Sequence, residues 1–187
     1  MKTSKIIIVC LFCLSNLKGF SQKNPSVEKS IFAIETGLLG IWINNESRLS
    51  ENFTLRSELG LDAGIFASGI QNKSGFILIP VVTLEPRYYY NLEKRFNNAK
   101  KIKNNSANFI TLSVKYQPDL FVISNDDNIN VISNISFIPK WGIRRSLSNH
   151  FYFETGIGFG YRYFLEKVEN EKGEGALDLH LRIGYNF

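Results

Sequence analysis

The sequence predicts an all-β fold, an eight-stranded antiparallel transmembrane up-and-down β-barrel. From Ser30 onward apolar and polar residues alternate, which is the period of a strand with two different faces. Beyond the N-terminal segment no apolar run reaches the roughly 18 to 20 residues of a membrane helix, so any crossing must use strands. Strands in lipid must close, because an open edge leaves backbone groups unpaired. Residues 176–187 alternate as far as Phe187, which is typical of a closing barrel strand.

The first 21 residues predict a signal peptide. Lys2 and Lys5 precede an apolar run at 6–14 that is too short to span a bilayer as a helix. Polar residues follow, and we expect cleavage near residues 20–22. The predicted organisation is a signal peptide at 1–21, a short N-terminal periplasmic segment at 22–29 and an outer-membrane β-barrel at 30–187.

Charge and cysteine content narrow the classes of function. The chain has 22 Lys and Arg against 17 Asp and Glu, a formal net charge of +5. The signal segment holds three lysines and no acid, so the mature chain has 19 basic and 17 acidic residues, or +2. This small excess gives a nucleic-acid partner little support. Cys10 and Cys13 both lie in the signal segment, so we expect no disulfide in the mature chain.

Each predicted strand rests on a stretch of alternation. Dividing residues 30–49 near Gly37 and Gly40, where glycines allow a turn, gives the first two strands. The third is the clearest, because Arg56 and Asp62 share the face opposite to the apolar side chains, whereas a helix would mix the two sets. The same separation recurs in three further stretches, 82–90, 110–117 and 152–163.

We predict eight strands rather than seven because single-chain bacterial barrels have even strand counts. Both mature termini then face the periplasm. The predicted strands are 30–36, 40–49, 52–66, 76–91, 107–117, 128–145, 150–164 and 175–187.

Two features depart from the simplest barrel. Prolines cannot donate to a strand ladder, so we expect β-bulges at the four that fall in or beside strands: Pro80, Pro86, Pro118 and Pro139. The connection at 92–107 lies on the periplasmic side in this topology. It is long for that side, where turns are usually short.

A soluble ligand-binding barrel also alternates, with its apolar face inward. Three observations favour the membrane form. Glycines at 156, 158 and 160 share the polar face, where a narrow lumen must hold bulky charged neighbours. The last alternating strand finishes with the aromatic residue Phe187. Aromatic residues also gather toward strand ends, as in membrane girdles: Trp42, Tyr88, Tyr90, Trp141, Tyr161, Tyr163 and Tyr185.

Four segments resemble small outer-membrane β-barrel proteins of the Bacteroidota type. They are L-E-P-R-Y-Y-Y-N-L-E-K-R at 84–95, G-I-R-R-S-L-S-N-H-F at 142–151, E-T-G-I-G-F-G-Y-R-Y-F at 154–164 and the final L-H-L-R-I-G-Y-N-F. The F-S-Q at the end of the signal segment is similar to that group too. The resemblance covers nearly the whole mature chain. It implies the barrel and the bacterial outer membrane, and it brings no established activity or catalytic residue.

The polar faces carry the candidate site residues. We interpret them as a lumen network in which buried charges pair, because eight strands enclose just enough space for side chains. A selectivity lining or gate is the alternative. Short basic runs such as Arg144-Arg145 are interpreted as a solvated or headgroup-facing edge. The predicted lumen residues are Glu35, Arg56, Glu58, Asp62, Glu85, Arg87, Lys115, Glu154, Arg162, Asp178, His180 and Arg182.

The leading functional hypothesis is a structural or interaction barrel without enzymatic activity. A small pore or carrier for a small or hydrophobic solute is the first alternative. The second is a lipid-modifying enzyme, in which His180 would need a serine such as Ser57, Ser113 or Ser136 and an acid. No phosphate loop or metal-ligand spacing occurs in the sequence, so we expect no cofactor.

We expect a monomer that contacts outer-membrane lipid and, during biogenesis, the barrel-assembly machinery. Tyr185 and Phe187 resemble the terminal signal that this machinery reads.

Overall fold

The described part of the chain forms one antiparallel sheet of nine strands that closes into a ring. A computed structural model describes residues 25–68, 73–125, 131–168 and 171–187. The predicted signal peptide at 1–21 lies outside the described residues. The all-β class and the antiparallel closed sheet confirm the predicted fold class.

Eight long strands build the ring: each pairs with the next long strand along the chain, and the first pairs with the last to close it. The strands are β1 (Ser30–Gly37), β2 (Gly40–Ser50), β3 (Phe53–Ser68), β4 (Lys73–Tyr88), β5 (Asn108–Gln117), β6 (Ile123–Ser124), β7 (Asn134–Ser146), β8 (Phe151–Val168) and β9 (Glu171–Asn186). The two-residue β6 adds to β4 beyond the end of β5. The predicted strand start at 128 lies outside the described residues, and β7 begins at Asn134; β9 begins earlier than the predicted 175.

The two ends of the ring differ. We call one the capped end; it carries the turns at 51–52 and 147–150 and a folded connection at 89–107, which we call the cap. The cap contains helix α1 (Leu92–Asn97) and a 3₁₀ turn (Lys103–Asn105). The opposite end, where β1 turns into β2 at 38–39, we call the far end. Among the described residues no helix is long and apolar enough to cross a membrane.

Side-chain polarity is inverted relative to a soluble protein. On β9, Leu177, Leu179 and Leu181 are 63%, 51% and 55% exposed, whereas His180 and Arg182, on the opposite face of the strand, are buried. The other long strands follow the same rule: Phe32, Ile43, Leu59, Leu84, Ile110, Phe137 and Ile157 are all exposed. The lumen therefore holds the charged residues, and the outer wall of the ring is apolar.

The expected proline bulges are absent. The β3–β4, β4–β5 and β7–β8 pairings keep a constant register through Pro80, Pro86 and Pro139. On one side of each proline the ladder is interrupted instead, which accommodates a residue without an N–H. Pro118 follows the end of β5. The register shifts lie at Arg48/Ser50 and at Tyr163/Val168.

The cap closes its end of the ring with a small apolar core of its own. Tyr89, Leu92 and Phe109 are buried in this core together with Val27 and Ala107. The Val27 N–H donates to the Glu51 carbonyl at 2.8 Å, which attaches the N-terminal segment to the same end. The length of this connection, unusual for a turn, is thus explained by a folded structure that packs against the lumen.

Candidate functional site

Glu154 on β8 lies at the centre of the lumen network. The Arg87 guanidinium donates to both of its carboxylate oxygens, at 2.8 and 2.9 Å. Arg144 Nε donates at 2.7 Å from β7, and Arg56 Nη1 lies 3.6 Å away. All four side chains are at most 1% exposed. Three arginines from three strands therefore converge on one buried carboxylate.

The carboxylate of Glu35 on β1 accepts hydrogen bonds from a second set of side chains. Arg56 binds it through both guanidinium nitrogens, at 2.8 and 2.5 Å, and the Tyr152 hydroxyl donates at 2.6 Å. Arg182 Nη1 donates to Glu35 at 3.1 Å and to Glu58 at 2.7 Å. Arg56 also donates to Glu58. Charge-assisted and bidentate bonds of this type are strong and geometrically specific.

Glu46 on β2 joins the network to the cap. Its Oε1 accepts hydrogen bonds from the Tyr89 hydroxyl and from Asn105 Nδ2, both at 2.7 Å. Its Oε2 lies 2.8 Å from Arg144 Nη1. Asn105 is buried with a positive φ of 55°, a conformation that asparagine tolerates better than most residues. The cap thus inserts a polar side chain into the base of the lumen.

Aromatic side chains that point into the lumen cover the guanidinium faces of three arginines. The guanidinium carbons lie over the rings of Phe109, Tyr152 and Trp42 in three pairs: Arg87–Phe109 at 4.3 Å, Arg144–Tyr152 at 4.6 Å and Arg182–Trp42 at 3.8 Å. Such cation–π contacts complement the in-plane hydrogen bonds of the same groups. Trp42 is 3% exposed and belongs to the lumen, so its assignment to an outer girdle was wrong. The other six predicted girdle residues are 39–51% exposed.

The ion pairs of the lumen network become more exposed toward the far end. Lys140 Nζ lies 3.3 Å from both Glu85 Oε1 and Asp178 Oδ1. Lys115 Nζ lies 3.0 Å from Asp62 Oδ2 and 3.6 Å from Asp178 Oδ2. The side chains of Lys115 and Asp62 are 16% and 18% exposed, in contrast to the fully buried groups around Glu154.

A polar cavity of about 290 Å³ occupies this half of the lumen. Its wall includes Trp42, Asp62, Lys115, Arg162, Asp178, His180 and Arg182. Asp62 and Lys115 on this wall are partly exposed, whereas His180, whose Nε2 lies 3.4 Å from Glu154 Oε1, is almost fully buried.

Eleven of the twelve predicted lumen residues lie in one connected set of ion pairs and hydrogen bonds. Arg162 lies apart: it lines the cavity, and its partner is Glu174 at 2.9 Å near the far end, where both side chains are more than one-third exposed.

Sequence reasoning missed several members of the network. Glu46, Lys140 and Arg144 were not among the predicted residues, and neither were Tyr89 and Tyr152. Strand parity could have found Glu46, which lies two residues from Asn44 and four from Trp42. The interpretation of Arg144-Arg145 as an exposed edge is wrong for Arg144, which is fully buried.

His180 lacks the arrangement that a lipid-modifying enzyme would need. Its ring nitrogens accept or donate no hydrogen bond within the described residues, and the nearest carboxylate oxygens are on Glu154 at 3.4 Å and Asp178 at 3.8 Å. Ser57 is exposed on the outer wall, and Ser113 and Ser136 are buried without a bond to the imidazole. Within the same residues no group of His, Cys, Asp and Glu could hold a metal ion.

The predicted assembly residues lie on the outer wall at the capped end. Tyr185 and Phe187 are exposed, and their rings form an edge contact with centroids 5.3 Å apart. The Phe187 N–H donates to the Phe32 carbonyl at 3.0 Å, which continues the β1–β9 pairing.

Comparison with known proteins gives no relative: no family model, no curated protein and no solved structure matches the chain.

Proposed function

We propose that the protein is a bacterial outer-membrane β-barrel with a structural or interaction role and a lumen closed by paired charges. The inverted polarity of the ring is the observation that carries this proposal. Leu177, Leu179 and Leu181 are more than half exposed, while Glu35, Arg56 and Glu154 are at most 1% exposed. Exposed apolar surface that surrounds a whole sheet is far larger than the patches found on soluble monomers.

Lipid is the solvent that fits this surface. An apolar outer wall is compatible with lipid acyl chains, and a closed ring leaves no strand edge with unpaired backbone groups in the hydrocarbon. Tyr88, Tyr90 and Trp141 are exposed toward the capped end, and Tyr161 and Tyr163 toward the far end, as expected of two interfacial belts. Outer-membrane lipid and the assembly machinery are the proposed partners, and the proposed state is a monomer.

The closed lumen favours a structural role over a pore. Glu154, Arg87 and Arg144 bridge β8, β4 and β7 across the interior, and Glu46 connects this layer to the cap. A side-chain-filled interior is expected for eight strands. Nothing in the geometry around His180 supports catalysis, so the enzyme alternative has no observation in its favour.

The two tryptophans of the chain test the proposed membrane orientation of the wall. Trp141 is 41% exposed on the outer wall and Trp42 is 3% exposed in the lumen. We expect brominated phosphatidylcholine to quench the fluorescence of a Trp42→Phe variant, which retains Trp141, much more than that of a Trp141→Phe variant. Equal quenching of both variants in vesicles, or quenching of neither, would contradict a lipid-facing outer wall.

A further inference from the structure

The far-end cavity has unused hydrogen-bond donors and no unused carboxylate. Asp62 accepts from Trp42 Nε1 at 2.9 Å through one oxygen and from Lys115 at 3.0 Å through the other. Asp178 faces Lys140 through Oδ1 and Lys115 through Oδ2. Both acids on the cavity wall are therefore already matched by cations of the protein.

The donors are not matched in the same way. Arg182 Nε and Arg162 Nε are buried N–H groups without a partner among the described residues. Both ring nitrogens of His180 are also without a hydrogen bond among the described residues, although the side chain is only 5% exposed; the nearest carboxylate oxygens are 3.4 Å away on Glu154 and 3.8 Å away on Asp178. A buried polar group that lacks a partner requires an explanation, and a bound ion or water is one.

The wall itself carries the cations Lys115, Arg162 and Arg182 and the carboxylates Asp62 and Asp178. Two of the cations also have acidic partners outside the wall: Arg182 pairs with Glu35 and Glu58, and Arg162 pairs with Glu174. A volume of about 290 Å³ has room for a small solute together with several waters, given that one water takes about 30 Å³ of liquid.

We propose that this cavity binds a small free oxyanion, a phosphate or carboxylate group, through His180, Arg182 and Lys115. The inference goes beyond the proposed structural role and rests on the lumen being closed below the cavity, so that an entering ion stops there. Guanidinium and ammonium groups are the usual protein ligands of such anions.

The two histidines of the chain provide the experiment with an internal control. His180 lines the cavity, whereas His150 lies at the capped end, where its ring stacks on Tyr185 and its Nδ1 is 3.0 Å from the Asn186 carbonyl. Protein labelled with ¹³C-histidine and folded in detergent micelles is titrated with inorganic phosphate at fixed pH. Chloride holds the ionic strength constant.

We expect the His180 resonance to move saturably while the His150 resonance stays in place. Movement of neither resonance, or equal and unsaturable movement of both, would overturn the proposal. Repeating the titration with acetate distinguishes a phosphate from a carboxylate ligand.

A matched pair of lysine variants sharpens the result. Lys115→Met should weaken phosphate binding by about tenfold or more, the loss expected for one charge-assisted hydrogen bond. Lys172→Met, at an exposed position near the same end, should leave it unchanged. Equal weakening by both variants would indicate attraction by overall charge and reject the cavity. Because this titration is made in micelles, its failure is separate from a failure of the proposed membrane orientation.

Discussion

Large inward side chains of the lumen lie against glycines on the neighbouring strand. Tyr152 is paired with Gly184, and a Cβ at position 184 would come within 2.2 Å of the Tyr152 ring. Phe109 has the same relation to Gly142, at 2.3 Å. Because Gly184 has no side chain, the aromatic ring of Tyr152 can lie flat on the neighbouring strand. The Tyr152 hydroxyl then reaches Glu35, and the face of its ring contacts Arg144.

Gly184→Ala should therefore destabilise the ring by about 1–3 kcal/mol, the usual cost of overpacking. The measurement is urea unfolding of protein folded in lipid vesicles, followed by tryptophan fluorescence. Gly175→Ala on the same strand is the control, because its nearest neighbour is the flexible edge of Phe159 at 3.3 Å. Equal stability of the two variants would show that Tyr152 can move aside without loss.

Removing the charge of Glu35 should lower the stability of the barrel more than Gly184→Ala does. Glu35→Gln leaves Arg56 and Arg182 buried with one fewer counter-charge, and breaking a buried pair from one side costs about 3–5 kcal/mol. We expect a loss in this range in the same unfolding assay. Ser57→Ala, exposed on the outer wall of β3, should change stability by less than about 0.5 kcal/mol. A loss below 1 kcal/mol for the glutamine variant would mean that the network tolerates an uncompensated cation.

Among the elements, the cap is a folded unit fixed at both ends. Asn91 Oδ1 accepts from the Asn108 N–H at 2.8 Å, so the two ends of the connection are already in contact. Between them, Asn104 Nδ2 donates to Ser146 Oγ and to the Asn149 carbonyl, which ties the cap to the β7–β8 turn. The ion-pair layer around Glu154 lies inside the ring strands and does not depend on these bonds.

Replacing residues 92–106 by a short Gly-Ser linker should lower stability without opening a channel. The variant loses the Asn105 bond to Glu46 and part of the apolar core, but it keeps Arg87, Arg144 and Glu154. Planar-bilayer recordings are expected to show no steady conductance. Long-lived openings confined to this variant would instead assign the closure to the cap.

At the scale of the whole molecule, the charged groups of the lumen nearly balance. Among the described residues the interior pairs seven carboxylates with six lysines and arginines: Glu35, Glu46, Glu58, Asp62, Glu85, Glu154 and Asp178 with Arg56, Arg87, Lys115, Lys140, Arg144 and Arg182. A lumen with so little net charge and so many crosslinks has neither the space nor the field of an ion-selective pore.

The purified wild-type protein should accordingly conduct poorly. Planar-bilayer recordings are expected to lack large steady channels, whereas the Trp42→Phe and Trp141→Phe variants in vesicles should show the difference in quenching between Trp141 and Trp42. Large, long-lived openings in the wild-type protein would favour the small-pore alternative.

Sequence parity predicted the faces of the strands well because alternation is a property of the backbone and needs no tertiary information. It gave Arg56, Glu58 and Arg182 their inward positions, which the structure shares. It could not reveal that the cap folds into the base of the lumen, since the partners Asn105 and Glu46 are 59 residues apart. Nor could it predict the closeness of Lys140 to both Glu85 and Asp178, which depends on strand stagger around the ring.

The partners of Glu35 have a consequence for the order of folding. Arg56, Tyr152 and Arg182 lie 21, 117 and 147 residues from it along the chain. A growing sheet that lacks β8 and β9 therefore presents an incompletely neutralised carboxylate on the face that will become the lumen. Contacts of such long sequence separation slow folding, because the chain entropy is lost before the contacts form. Partial sheets should stay hydrated on their inner face, and expulsion of that water should coincide with pairing of β1 and β9 in one late cooperative step.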